Sequence, residues 1–591
     1  MSTDRPTTPA PGPAAPEDGV VVERGVPVPM RDGTVLRADV YRPASGGRFP
    51  VLVERVAYEL GARVGGYAPA YVRQGYVVVG QNVRGTFASG GVLDLFRDDG
   101  WGPNRDGYDT VEWAAAQPWS DGNVGMLDGS YSGFTQYLVA PTRPPHLRAL
   151  SPREAGGDVF RDWVFRAGAH QLAFTRSWTM RTCLTWLTHE AAPATASPAR
   201  ERLEAALAQG LDPWLERLPL RSCPPLEDLP LVGWYFEHLA HPEDGPYWRA
   251  TSLATRYGGV ETPMLHVAGW FDFFLDGTLR AFRGLQAHAR TEAARRAQRL
   301  VIGPWIHGPA AAAERRAGEV DFGPEAVFDL TGHRLRWYDH WLKGVDNGAL
   351  DGAPVRAFLM GANRWLDLDA WPPPGLTHRP LYLRRGTGPS ADSLNGGGLS
   401  FQPPDGAEGE DGFDYDPHRP VPSLISYPQL GPTDHRPVEG RLLTYTSDAL
   451  EQDLAAVGPV AAVLHAASSA PDTDWVVRLC DVWPDGRSLS VCDGILRARY
   501  RDSLTRPELL SPGRVYRFRV DLSGTAHVFK AGHRLRLQVT SSDFPRYDRN
   551  LNTGGPFGTD AHPQVAHNTV FHDAARPSRL LLPTLPAPGG G

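Results

Sequence analysis

A doubly wound α/β domain, interrupted by a helical insertion and followed by an all-β jelly roll, is the architecture this sequence predicts. Three observations carry the prediction. Strand-like and helix-like segments alternate from residue 49 to 137 and again from 262 to 344, a rhythm that builds a mostly parallel sheet covered by helices. Residues 146–250 between them are rich in Trp, Leu, Ala and Arg, and their spacing is helical. After Gly344, short alternating runs are separated by Gly, Pro and Asp, the pattern of a sandwich or jelly roll.

Taken in order, residues 1–18 are polar and proline-rich and read as a disordered tail. Residues 19–43 form a hairpin around the turn Arg31-Asp32-Gly33. FPVLVERV (49–56) is a strand, APAYVRQG (68–75) a short helix, and YVVVGQNV (76–83) a strand buried on both faces. GYDTVEWAAAQ (107–117) is an amphipathic helix. In the insertion, PARERLEAALAQG (198–210) is a helix, and no strand is expected between 146 and 250. TPMLHVAGWFD (262–272) and RLVIGPW (299–305) are strands, and 279–298 and 324–344 are helices. Lys343-Gly344 is a C-terminal stop signal for the last of these. VRAFLMG (355–361) opens the series of sandwich strands, while 386–398 and 405–416 read as flexible connections. The expected domains are 19–145 with 251–350, an insertion at 146–250, and a β-sandwich at 351–591.

The bulk composition narrows the function. The 591-residue chain is 41% apolar and 21% charged, the balance of a globular protein. Its formal net charge of −7 gives no electrostatic basis for binding nucleic acid or an anionic membrane. Cys183, Cys223, Cys480 and Cys492 form no metal-binding spacing and no disulfide framework. Free buried thiols are expected, with a Cys480–Cys492 bridge across a hairpin as the alternative. The N-terminus lacks the basic start and apolar core of a signal peptide, and no apolar run has the length of a membrane span, so a cytoplasmic protein is expected.

The chemistry centres on residues 121–137, DGNVGMLDGSYSGFTQY. A strand-like run meets Asp128-Gly129-Ser130-Tyr131-Ser132-Gly133, and helix-compatible residues follow. This resembles G-x-S-x-G, the nucleophile elbow, with Asp128 at the first glycine and Gly133 one residue past the second. Such a turn exposes the serine hydroxyl at the carboxyl end of a strand, and the next backbone N–H can face a developing oxyanion. A serine needs a base, and the base needs an orienting acid. Asp272 ends one downstream strand and His307 follows the next, in the order such sheets require. Asp276 is the competing acid, and reads better as a solvated residue at a helix start.

The chain resembles the serine hydrolases typified by cocaine esterase, glutaryl-cephalosporin acylase, α-amino-acid ester hydrolase and X-Pro dipeptidyl-peptidase. The similarity runs from about residue 20 to 575. It is carried by QNVRGTFASGG (81–91), DGYDTVEW (106–113), GNVGM (122–126), GSYSGFTQ (129–136), GWFD (269–272) and GPWIH (303–307). GANRW (361–365), APDTDW (470–475), DGILRARYR (493–501) and FPRYDRN (544–550) extend it into the C-terminal half. The resemblance implies an α/β-hydrolase fold with an inserted helical cap and a C-terminal jelly roll. It implies Ser130 as nucleophile, His307 as general base and Asp272 as its orienter. It further implies an oxyanion hole made by the Tyr58 hydroxyl and the Tyr131 N–H, and an acyl pocket walled by Trp163, Trp178 and Phe274. His238 and His241 lie in a cap segment whose family counterpart is structural, so no metal is expected there.

The expected reaction is cleavage of an ester or amide through an acyl-serine, without metal or organic cofactor. The expected partner is a small-molecule ester or amide, with no nucleic acid and no membrane, and self-association is left open. Esterase or acylase chemistry is favoured over X-Pro peptidase chemistry, because no extra N-terminal domain is evident. The rivals are an acyltransferase using the same acyl-serine, and a non-catalytic binding protein on the same scaffold. Asp128 is read as structural and tolerated at the elbow. A lone carboxylate there would also raise the pKa of His307.

Overall fold

A computed structural model describes residues 19–190, 192, 197–406, 408–425 and 431–585. The predicted tail at 1–18 lies outside these residues. The first half of the chain is organised on a ten-stranded sheet. Its strands are β1 (Val20–Pro29), β2 (Val35–Pro43), β3 (Phe49–Val56), β4 (Val77–Asn82), β5 (Ser120–Met126) and β6 (Leu147–Leu150), followed by β7 (Met264–Phe271), β8 (Gln298–Ile306), β9 (Val355–Leu359) and β10 (Arg364–Leu368). Their spatial order is β1-β2-β4-β3-β5-β6-β7-β8-β9-β10. All neighbours from β4 through β9 are parallel, and the two ends are antiparallel hairpins.

The sequence of β3 and β4 explains why they sit in the middle. Val51, Val53, Val77 and Val79 face one layer of the core, while Leu52, Val56 and Val78 face the other. Continuous apolar runs of this kind need helices on both faces. Helix α1 (Leu60–Val72) and the helix Leu330–Lys343 cover one side. Helices α2 (Asp106–Ala115), α3 (Tyr131–Val139) and Leu275–His288 cover the other. From β3 the chain steps outward to β4 and then returns past β3 to β5. The connections reverse direction between β3 and β5, and that reversal opens a crevice at the carboxyl ends of the strands.

Several elements differ from the sequence expectation. Helix α1 begins at Leu60, not at 68, because Glu59 caps it by accepting from the N–H groups of Gly61 and Ala62. The expected helix 279–298 is two helices, Leu275–His288 and Glu292–Arg296, the second capped by Thr291. Residues 146–250 do contain strands: β6 lies within the main sheet, and Phe165–Arg166 pairs with Ala169–His170 in a short hairpin. β9, expected in the sandwich, instead adds in parallel to β8, with Leu300 opposite Val355. Its Val355, Ala357, Phe358 and Leu359 are buried there. Glu410–Tyr415, expected to be a flexible connection, is a strand paired with Ala566–Phe571, because Phe413 and Tyr415 turn into the core.

The second half forms an all-β body with an eleven-stranded sheet system around a core that includes Trp475, Phe518 and Leu537. All four cysteines are free. Cys492 stands opposite Leu479 and Cys480 opposite Ser490, with a bulge between them. The body is joined to the cap through the hairpin 165–170. Gly168 has φ +87 and lies so close to the Tyr500 ring that no side chain fits between them. Next to it, Arg497 makes two hydrogen bonds to Asp474, both at 2.9 Å, and two to Asp548, both at 3.0 Å. Asp548 also accepts from the His170 N–H at 2.7 Å. All three charged side chains are buried. Removing one member of such a cluster strands the others, so Arg497→Met is expected to cost about 3–5 kcal/mol. Denaturant unfolding of the full chain measures it.

Candidate active site

Strand β5 delivers Leu127 to the crevice, and the chain then turns sharply into α3. The turn places two non-glycine residues at positive φ, Asp128 at 77° and Ser130 at 58°. Such conformations cost on the order of 1–3 kcal/mol each and persist only where the surroundings hold them. Here the Ser130 N–H donates to the Arg153 carbonyl at 3.0 Å, and the Ser130 carbonyl accepts from Gly133 and Phe134 in the first turn of α3. Gly133 allows that approach, because a Cβ there would collide with the Ala155 methyl.

Asp272 and His307 arrive by strand register. Phe271 at the end of β7 is paired with Ile306 at the end of β8, so the next residue of each strand emerges side by side. His307 Nδ1 lies 2.9 Å from Asp272 Oδ1, and Nε2 lies 3.0 Å from Ser130 Oγ. With Nδ1–H donating to the buried carboxylate, Nε2 is the acceptor for the serine hydroxyl. Asp276 stands apart from this chain of bonds. It lies at a helix start with a third of its side chain exposed, paired with Arg166 and accepting from Ser523 Oγ.

Tyr58 follows β3 across the reversal point. Its backbone carbonyl accepts from Asn82 Nδ2 at 2.7 Å, and its hydroxyl accepts from Trp178 Nε1 at 2.8 Å. Its ring stands edge-on to Tyr131 at 6.2 Å. As the first residue of α3, Tyr131 has an N–H that the helix does not use. The three expected pocket aromatics converge. Trp163 stacks on Phe274 at 5.7 Å and meets Trp178 at right angles at 5.0 Å. Phe274 is fully buried, whereas its neighbour Phe273 is half-buried and lies 4.5 Å from the His307 ring and 4.7 Å from Phe174. His238 packs on Trp248 and His241 stacks on Tyr247, and burial lowers the His238 pKa to about 3.

Asp128 is not a lone charge. Its carboxylate receives Arg63 at 2.7 Å and Arg153 at 3.0 Å, with Arg334 at 3.8 Å. Burial alone would raise its pKa, but the three guanidiniums outweigh burial and hold it well below the usual carboxylate range. Arg63 also meets Glu54 at 2.7 Å, and Arg153 meets Glu154 at 3.0 Å. Sequence reasoning did not find Arg153 and Glu154. They follow β6, a four-residue strand without a readable pattern. Phe273 was passed over for the neighbouring Phe274.

The sequence pattern of X-Pro dipeptidyl-peptidase (S15 family) matches residues 32–309, and that of the X-Pro dipeptidyl-peptidase C-terminal non-catalytic domain matches 347–581. The fold and these matches define a serine hydrolase. More particularly, the chain belongs to the family that includes cocaine esterase. It is 36% identical to cocaine esterase of a Rhodococcus species over 589 residues, covering 95% of this chain and 98% of that one. It is 27% identical to a putative serine esterase of Mycobacterium bovis over 598 residues, covering 87% and 90%. Among solved structures, an aminopeptidase from a marine sediment Thaumarchaeota archaeon superposes with a TM-score of 0.78 at 25% identity, covering 99% of this chain and 100% of that one. An α-amino acid ester hydrolase superposes with a TM-score of 0.75 at 26% identity, covering 98% and 100%. The chain is therefore a serine hydrolase acting on esters or amides, and the binding-protein alternative falls. No helix among the described residues is long and apolar enough to cross a membrane.

Asp128→Asn keeps the shape of the elbow but leaves three guanidiniums short of a charge, at an expected cost of about 3–5 kcal/mol at neutral pH. The folded pKa of Asp128 is depressed, so its stabilisation is complete above the unfolded value of about 4 and is lost as pH falls below it. The gap between variant and wild type, read by denaturant unfolding, should therefore close on acidification below that pH. Asp128→Gly should not raise the turnover rate.

Proposed function

We propose that Ser130 is the nucleophile, His307 the general base and acid, and Asp272 the group that orients it. The observation that carries this reading is the unbroken hydrogen-bond chain from Asp272 through His307 to Ser130 Oγ at the crevice. Ser130 Oγ attacks the carbonyl carbon of the substrate and its proton passes to His307 Nε2. The resulting oxyanion is met by the Tyr58 hydroxyl and the Tyr131 N–H. A phenol that accepts from Trp178 Nε1 is polarised toward donating its own proton. As the tetrahedral species collapses, His307 returns the proton to the departing oxygen or nitrogen, leaving an acyl-Ser130. Water then attacks, gives its proton to His307, and releases the acid as the proton goes back to Ser130. The same acyl-serine would serve an acyltransferase if an amine or alcohol took the place of water.

The substrate class we favour is a small-molecule ester with a neutral, flat acyl group. Trp163, Trp178, Phe273, Phe274 and Phe174 form one aromatic cluster beside His307, a surface that suits a flat, apolar acyl group. Similarity to cocaine esterase over nearly the whole chain points the same way. X-Pro dipeptide cleavage is the second reading, and rests on the family pattern matched at 32–309.

A fluorophosphonate should form one adduct, mapped by peptide mass spectrometry to Ser130 and absent from Ser130→Ala. Hydrolysis of aryl-acyl esters should exceed that of X-Pro anilides in kcat/KM, and the reverse order would favour the peptidase. Tyr58→Phe removes one oxyanion donor and should lower kcat by about 100-fold, with circular dichroism unchanged.

A further inference from the structure

Behind His307 stands a second buried carboxylate. Glu154 Oε2 is 3.9 Å from His307 Nδ1, on the side away from Ser130. The Glu154 backbone is at φ 47°, a left-handed conformation, and its N–H is tied to the Val267 carbonyl of β7 at 2.8 Å. The side chain is held with equal care. Oε2 accepts from the Gly308 N–H at 2.9 Å and from Arg153 Nη1 at 3.0 Å. The same Arg153 Nη1 donates to the Gly308 carbonyl at 2.6 Å. Both polar backbone groups of the residue that follows His307 are therefore engaged by the Arg153–Glu154 pair. Two donors on one oxygen, one of them a guanidinium, are the pattern of an ionised carboxylate. Burial raises the Glu154 carboxyl above its ordinary value, with Arg153 and then His307 opposing that rise in part.

We infer that Glu154 is a positioning residue for the reaction: it fixes the loop that carries His307 and places a second negative charge behind the imidazole. This rests on the reading of His307 as the general base. A carboxylate at this distance favours the imidazolium that forms as Ser130 attacks. Asp272 makes the direct hydrogen bond, and Glu154 adds charge and holds the backbone. The other groups that face the imidazole do not substitute for it. Phe273 and Phe274 are uncharged, Ser130 is the proton donor, and the charge of Arg153 is shared between Asp128 and Glu154. Glu154 also joins the elbow to the base, because Arg153 is bonded to both Asp128 and Glu154.

The test compares wild type, Glu154→Gln and Glu154→Asp for fluorophosphonate labelling and for hydrolysis of a small aryl ester across pH. Gln keeps an acceptor for the Gly308 N–H and loses the charge. The acid limb of its kcat/KM profile should move down by about 0.5–1 pH unit. Its kcat should fall about three- to tenfold with KM unchanged. Asp keeps the charge but draws back from Gly308, so its acid limb should stay near that of wild type while labelling slows several-fold. A Glu154→Gln profile superimposed on wild type, with equal kcat, overturns the inference. If Glu154→Gln does not fold, Glu154→Asp decides, and labelling at the wild-type rate overturns it. Wild-type protein that forms no Ser130 adduct would overturn the proposed function itself, and this inference with it.

Discussion

The constraint on which the rest of the site depends is the backbone of the turn after β5. Two side-chain-bearing residues are held at positive φ, where glycine would normally serve. What holds them is a largely buried cluster of six charges, with only Arg63 partly exposed. Glu54, Asp128 and Glu154 are interleaved with Arg63, Arg153 and Arg334, three of each sign. The six come from β3, α1, the elbow, the segment after β6 and the helix Leu330–Lys343. Replacing such a cluster by apolar side chains need not destabilise a protein, so net stability is a weak account of it. Register is a better one. β3, two covering helices and the segment after β6 are all tied to the elbow through these ion pairs, and the elbow cannot relax without unpairing an arginine. Asp128, which breaks the glycine pattern of the motif, is the centre of that arrangement and not a blemish in it.

Much of this was legible in the sequence, and the limits have physical reasons. β3 reads to the residue because both its faces are apolar. Ser130, Asp272 and His307 read as a set because each lies just past a strand that the pattern reveals. Glu154 occupies the same kind of position after β6, but LRAL lies between PTRPPH and SPRE and has neither length nor alternation. With its strand unseen, the residue could not be placed. The pairing of β9 with β8 is not legible, because VRAFL alternates like a sandwich strand and a parallel partner 55 positions upstream leaves no local mark. Glu410–Tyr415 was hidden by its acidic and glycine residues, although Phe413 and Tyr415 carry the period of two that makes it a strand.

The all-β body reaches the site through helix Leu275–His288, which starts three residues after Asp272. The Leu275 N–H bonds to the Asp272 carbonyl at 3.1 Å, so the first turn of that helix and the position of Asp272 are one unit. Asp276 in the same turn is anchored on two sides, by Arg166 from the cap hairpin and by Ser523 from the all-β body. Ser523 takes a positive φ of 72° to do so. The cap hairpin is itself fixed to that body by Asp548 and Arg497, on the far side of Gly168. A rigid path of hydrogen bonds thus runs from the second core to the backbone of Asp272, without any need for the all-β body to touch a substrate. The imidazole is then held from two directions, by Asp272 on a helix braced by the C-terminal half and by Glu154 on a charge cluster under the elbow. Such a frame suits a reaction in which a weak hydroxyl must meet its base within hydrogen-bonding distance on every turnover.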